Sequence, residues 1–110
     1  MKLPNGDRAI VEIEKLETYI LNPFHPLGKH KARVLASALG LNLEDVSEFK
    51  AALLKAAREG DAVEGEKDGY GQRYFVDFTM EHDNRQAIIR SGWIVLRSEE
   101  IPRLTTAFVL

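Results

Sequence analysis

An α+β fold, with N-terminal helices packed on a C-terminal antiparallel meander sheet of three to four strands, follows from three features of the sequence. Apolar residues recur near every fourth position before Gly60 and near every second position after it, and turn residues punctuate both halves. Pro4-Asn5-Gly6-Asp7 reads as a turn and Ala9-Ile10-Val11 as a short edge strand. Glu14 to Leu21 has helical composition, with Leu16, Tyr19 and Ile20 on one side. Asn22-Pro23 ends it, because the residue before proline is pushed out of the α region. The next helix runs from Leu27 or Gly28 to Leu39, with Val34, Leu35, Ala38 and Leu39 as its apolar stripe and Gly40 closing it. Asn42 stands where an N-cap would, and Glu44 and Asp45 favour the dipole of the helix that follows. That helix repeats Val46, Phe49, Leu53, Ala56 and Ala57 on one face and stops at Gly60.

Beyond Gly60, the acidic, glycine-containing stretch from Glu64 to Gly71 reads as a mobile loop. Arg73 to Met80 alternates, placing Tyr74, Val76, Phe78 and Met80 on one face, and His82-Asp83-Asn84 supplies a turn. Gln86 to Arg97 is apolar on both faces, with Ile88, Ile94 and Leu96 on one and Ile89, Trp93 and Val95 on the other. That is the pattern of a central strand. Arg103 to Leu110, after Pro102, is the last strand.

Composition narrows the function. The 110 residues, 45% hydrophobic, are expected to form a single domain over 1–110 with an ordinary core. Fifteen Lys and Arg against seventeen Asp and Glu give a formal charge of −2, which argues against nucleic-acid binding driven by global charge but not against a local basic groove. Without cysteine there is no disulfide framework, zinc–thiolate site or thiol catalysis. The three histidines lack zinc-ligand spacing, so neither a metal nor a cofactor is expected. No apolar run approaches a membrane span and no leader is evident, so a cytoplasmic protein is the expectation.

The densest chemistry lies in Asn22-Pro-Phe-His-Pro-Leu-Gly-Lys-His-Lys-Ala-Arg-Val-Leu35, which gathers two histidines, two lysines and an arginine at the start of a helix. Ile101-Pro-Arg-Leu-Thr-Thr-Ala-Phe-Val-Leu110 adds Arg103, Thr105 and Thr106. His25 to Leu35, Tyr70-Gly-Gln-Arg, Ser91-Gly-Trp-Ile-Val and Pro102-Arg-Leu-Thr-Thr-Ala together resemble a small bacterial domain family of uncharacterised function. Its members occur alone or at the C-termini of polymorphic-toxin and phage-related proteins. The layout is similar to the barnase, EndoU, colicin D and RelE-like ribonuclease superfold.

The resemblance implies metal-independent RNA cleavage. A base removes the 2′-hydroxyl proton, that oxygen attacks the neighbouring phosphorus, and an acid protonates the departing 5′-oxygen. Histidine suits the proton transfers and arginine or lysine the crowded phosphorane. His25, His30, Lys31, Arg103 and Thr105 are the catalytic candidates, and Arg90, Trp93 and Tyr70 the substrate-binding ones, the two aromatics as base-stacking platforms. On this reading His25→Ala and Arg103→Ala each abolish activity without unfolding the domain.

Each candidate also has a plain structural reading. His25 can cap the following helix, and Lys31 can cover the apolar stripe with its stem. Arg103 can pair with Glu99 or Glu100, and Trp93 can be core. Thr105 and Thr106 should alternate faces, so that one at most enters a cleft. Gly28 is expected to serve the backbone turn.

A second function from another class is a non-catalytic interaction module, partner or neutralising protein in a toxin–antitoxin or phage-defence locus. The acidic balance favours it. The expected partners are therefore RNA, or a cognate antitoxin or immunity protein, with no membrane. An exposed sheet edge would permit a dimer.

Overall fold

In the computed structural model, which describes Met1–Leu110, Gly60 marks the change from helix to sheet that the sequence periods announce. Helix α1 is a short α-turn, Ile13–Lys15, running on as a π-helical turn over Leu16–Ile20, and it buries Leu16 and Ile20. Helix α2 spans Lys29–Leu39 and α3 spans Val46–Glu59. Gly40 closes α2 with φ 69°, the left-handed conformation that glycine takes without strain.

Before α3, Asn42 and Asp45 form a reciprocal capping box around a 3-10 turn, Leu43–Asp45. The buried face of α3 is Phe49, Leu53, Ala56 and Ala57. On α2 the buried stripe is Ala32, Leu35 and Leu39, while Val34 faces solvent. The period was right and the phase one step off.

Four antiparallel strands follow in meander order: β1 Ala62–Lys67, β2 Gly71–His82, β3 Arg85–Leu96 and β4 Arg103–Val109. Much of the stretch expected to be a mobile loop is β1. Its residues Ala62 to Lys67 pair with Val76 to Gln72, so ladder bonds outweigh the poor strand propensity of Gly65 and three charged neighbours. Ile10, expected in an edge strand, makes a single parallel bridge to Arg103.

The β2–β3 turn is tight. Asp83 and Asn84 take φ 54° and 60°, which short polar side chains tolerate best after glycine. Helices cover one face of the sheet, where Val76, Met80, Ile89, Trp93, Leu104 and Ala107 join the core with Phe49, Leu53 and Leu35. Burying Phe49 completely contributes about 2–3 kcal/mol. No helix is long and apolar enough to cross a membrane.

Candidate functional site

The face of the sheet turned away from the helices is built from register. Three rows cross it: Arg73, Ile94 and Arg103; Phe75, Gly92 and Thr106; Asp77, Arg90 and Phe108. Between the first two rows the β3–β4 register slips, from Gly92 opposite Thr106 to Trp93 opposite Leu104, which leaves Thr105 as the extra residue of a β-bulge.

The bulge overturns the expected alternation of the two threonines. A Cβ placed on Gly92 would lie 3.0 Å from Thr105 Oγ1 and 3.1 Å from Thr106 Cγ2, so both side chains converge on the glycine. Around them a concavity of about 310 Å³ is lined by residues including Glu66, Arg73, Phe75, Arg90 and Phe108. Thr106 Oγ1 is buried there without a hydrogen-bond partner.

The cations at this face are held in place. Arg90 donates from Nε and Nη2 to the two oxygens of Asp77 at 2.8 and 2.9 Å, and its guanidinium lies 4.4 Å from the centre of the Phe75 ring. That fork holds the Asp77 carboxyl below its usual range and raises Arg90, leaving the Nη1 donors free. Arg73 donates to Asp68 at 2.9 Å, which lowers Asp68 in the same way. Lys31 reaches from α2 to sit 4.6 Å from the Phe108 ring centre, with no carboxylate in ion-pair range. The result is a near-neutral face carrying fixed donors and two rings.

The sequence candidates divide. Arg90, Lys31 and Thr105 come to this face. Trp93 does not: it is fully buried on the helix side, and its indole N–H donates to Ser91 Oγ at 2.9 Å while the Ser91 hydroxyl donates to Val76 O at 2.7 Å. It offers no ring to a base.

Arg103 starts on the open face but turns its guanidinium to Glu99 at 2.8 and 2.9 Å, with Glu12 at 3.6 Å. His25 caps the segment before α2. Its Nδ1 accepts the backbone N–H of Leu27 and of Gly28, each at 3.0 Å, and its ring meets Tyr19 edge-on at 4.8 Å. An Nδ1 that accepts two N–H groups carries no proton, so the neutral ring bears its hydrogen on Nε2. The ring's outward nitrogen is then a donor and not a base.

His30 is exposed on α2, and Tyr70 is exposed in the β1–β2 connection. Gly28, expected to serve a turn, has φ −96° and needs no special conformation. It is glycine because a Cβ would meet the Tyr19 ring at 2.9 Å.

Sequence reading missed Arg73, Phe75 and Phe108. Their signal was the second face of each alternating strand, opposite the residues taken for core. It also passed over His82. A carbonyl only accepts, so the 2.6 Å contact with Leu39 O makes His82 Nδ1 a donor. Nε2 then faces Asp45 and Glu48, each at 3.5 Å. The Leu39 bond, followed by Glu48, Asp45 and Asp83, raises this histidine above its ordinary value. Arg85 donates to Ser37 O at 3.1 Å beside it, so the hairpin tip brings a guanidinium and an imidazole N–H to the C-terminal carbonyls of α2. The larger polar concavity at that tip, about 630 Å³, gathers no comparable set of rings and hydroxyls.

One chain of a solved structure, a contact-dependent growth inhibition toxin–immunity protein complex from Klebsiella pneumoniae 342, shares this fold. It is 14% identical with a TM-score of 0.70, over 92% of this chain and 99% of that one. No curated protein matches the sequence. Residues 2–110 match the model of a family described as a domain of unknown function (DUF6883).

Proposed function

We propose that this chain, which belongs to the DUF6883 family, is a toxin-type, ribonuclease-like domain that takes an RNA strand on the open face of its sheet. The observation that carries the reading is the bulge, which sets Thr105 and Thr106 side by side against Gly92, beside two positioned guanidinium groups and two rings. The free Nη1 donors of Arg90, with Arg73, would meet phosphate oxygens. The threonine hydroxyls would donate hydrogen bonds to oxygens of the crowded phosphorane, and Phe75 and Phe108 would stack bases. Lys31 adds a cation at the rim, and Tyr70 a further exposed ring.

Cleavage follows the 2′-hydroxyl route. Glu66, the lining carboxylate without an ion-pair partner, takes the 2′-hydroxyl proton, and a solvent water protonates the departing 5′-oxygen, because His30, exposed on α2, is not among the residues that line the concavity. His25 and Arg103 act through structure. The likeness to a chain of a toxin–immunity complex supports a place in a toxin system with a cognate protein partner.

One observation favours the second reading, a non-catalytic interaction module: Arg73, Arg90 and Arg103 are each matched by a carboxylate. Tightly controlled induction of the wild type beside a Thr105→Val/Thr106→Val variant that melts no lower than the wild type separates the two. Growth arrest with fragmented RNA in the wild type alone supports the nuclease. Harmless expression of both with intact RNA supports the module.

A further inference from the structure

Strand β1 fills only part of the lane beside β2. Its pairing runs from Lys67 opposite Gln72 to Ala62 opposite Val76, and the chain then turns at Gly60 into α3. The β2 residues from Asp77 to His82 therefore have a partner strand on the β3 side alone. The two-residue turn makes His82 and Arg85 a hydrogen-bonded pair. By alternation, the backbone N–H and C=O of Thr79 and Glu81 point outward from that ladder, into the empty lane.

Along this edge lies a groove of about 350 Å³ between β2 and α3. Phe78, Met80, Ala52 and Ala56 give it an apolar lining, and the two alanines leave room for side chains from an added strand. Its polar rim is Glu48, Glu59 and Glu81 against the single Lys55. Acidic side chains oppose pairing of this edge with its own copy, because the same carboxylates would meet across the junction.

We propose that the open half of the β1 lane docks an extended, basic segment of a protein partner by strand addition. Its backbone pairs with Thr79 and Glu81, alternate apolar side chains enter the groove, and cations meet the glutamates. The surface is distinct from the threonine concavity, and the proposal stands whether or not RNA binds there.

The test uses the intact domain, labelled with ¹⁵N, and a short soluble peptide alternating valine and lysine. Its control alternates valine and glutamate. The lysine peptide is expected to slow amide exchange at Thr79 and Glu81 about tenfold at saturation, as pairing an open backbone donor does. Thr79→Pro, which removes one outward donor and leaves the β2–β3 ladder, should abolish that protection. Glu59→Lys/Glu81→Lys, at exposed positions, should reverse the preference toward the glutamate peptide and carries the test alone should the proline variant fail to fold.

Four outcomes would overturn the proposal. They are no protection by either peptide, equal protection by both, protection that rises with protein concentration alone, which would make a second copy the occupant, and protection of these amides by an RNA oligonucleotide.

Discussion

Thr105 and Thr106 are consecutive in the chain yet present both side chains to one glycine, Gly92, on one face of the sheet. Regular strand geometry forbids this, and the one-residue slip between β3 and β4 supplies it. The bulge leaves Thr106 Oγ1 buried and unpaired. A hydroxyl kept without a partner destabilises the fold, and a ligand oxygen would relieve it.

Thr106→Val should therefore raise stability by about 1 kcal/mol, since it replaces an unsatisfied polar atom with a methyl of similar shape. The same change should weaken RNA cleavage. Thermal or urea unfolding reads the first effect and a cleavage assay the second. Opposite signs are the signature of a functional hydroxyl.

His25→Ala should cost about 0.5–2 kcal/mol, the range for losing a helix-cap acceptor, because two backbone N–H groups lose their partner. Cleavage per folded molecule should be unchanged. His25→Asn, whose side chain also accepts from nearby backbone, should recover part of the stability. Chemical denaturation of the three proteins measures the series.

Ser91→Ala should destabilise by about 1–3 kcal/mol, because the Trp93 indole N–H is left buried and unpaired. Near-ultraviolet circular dichroism of Trp93 should change with it, while the open face keeps its ligand. Trp93→Ala should cost more, about 3–5 kcal/mol.

His82 gives the fold a pH dependence. Its folded pKa is raised above the ordinary histidine value of 6.5, first by the bond to Leu39 O. The stabilisation is thus fully present below the unfolded value and is lost as pH rises through the folded one. The melting temperature should fall as pH rises above 6.5, and His82→Gln should flatten that decline. Proton resonances of the His82 ring should titrate with a midpoint above 6.5.

Sequence pattern carried the elements well and the site less well. The N-cap Asn42, the buried stripe of α3, the central position of β3 and the closing Gly40 were legible because each is a local signal, whereas Asp45 was read for the helix dipole and not as the other half of the capping box. The bulge was not, since it is a property of β4 against β3 and of neither alone. Nor was β1, whose charged, glycine-containing sequence is a strand only through its pairing with β2. His25, Trp93 and Arg103 were read toward chemistry, and the partners that occupy them lie in backbone N–H groups, Ser91 and Glu99. Glu99 was visible as a neighbour of Arg103; the register that puts Trp93 on the helix side was not.

The most direct measurement is RNA cleavage by the purified domain in the presence of a chelator, with the ends of the products identified. The account predicts fragments ending in 2′,3′-cyclic phosphate, formed about 100-fold more slowly by the Thr105→Val/Thr106→Val variant. Intact RNA with the wild type, together with no amide shifts at Gly92 or Thr106 on adding single-stranded RNA, would contradict it.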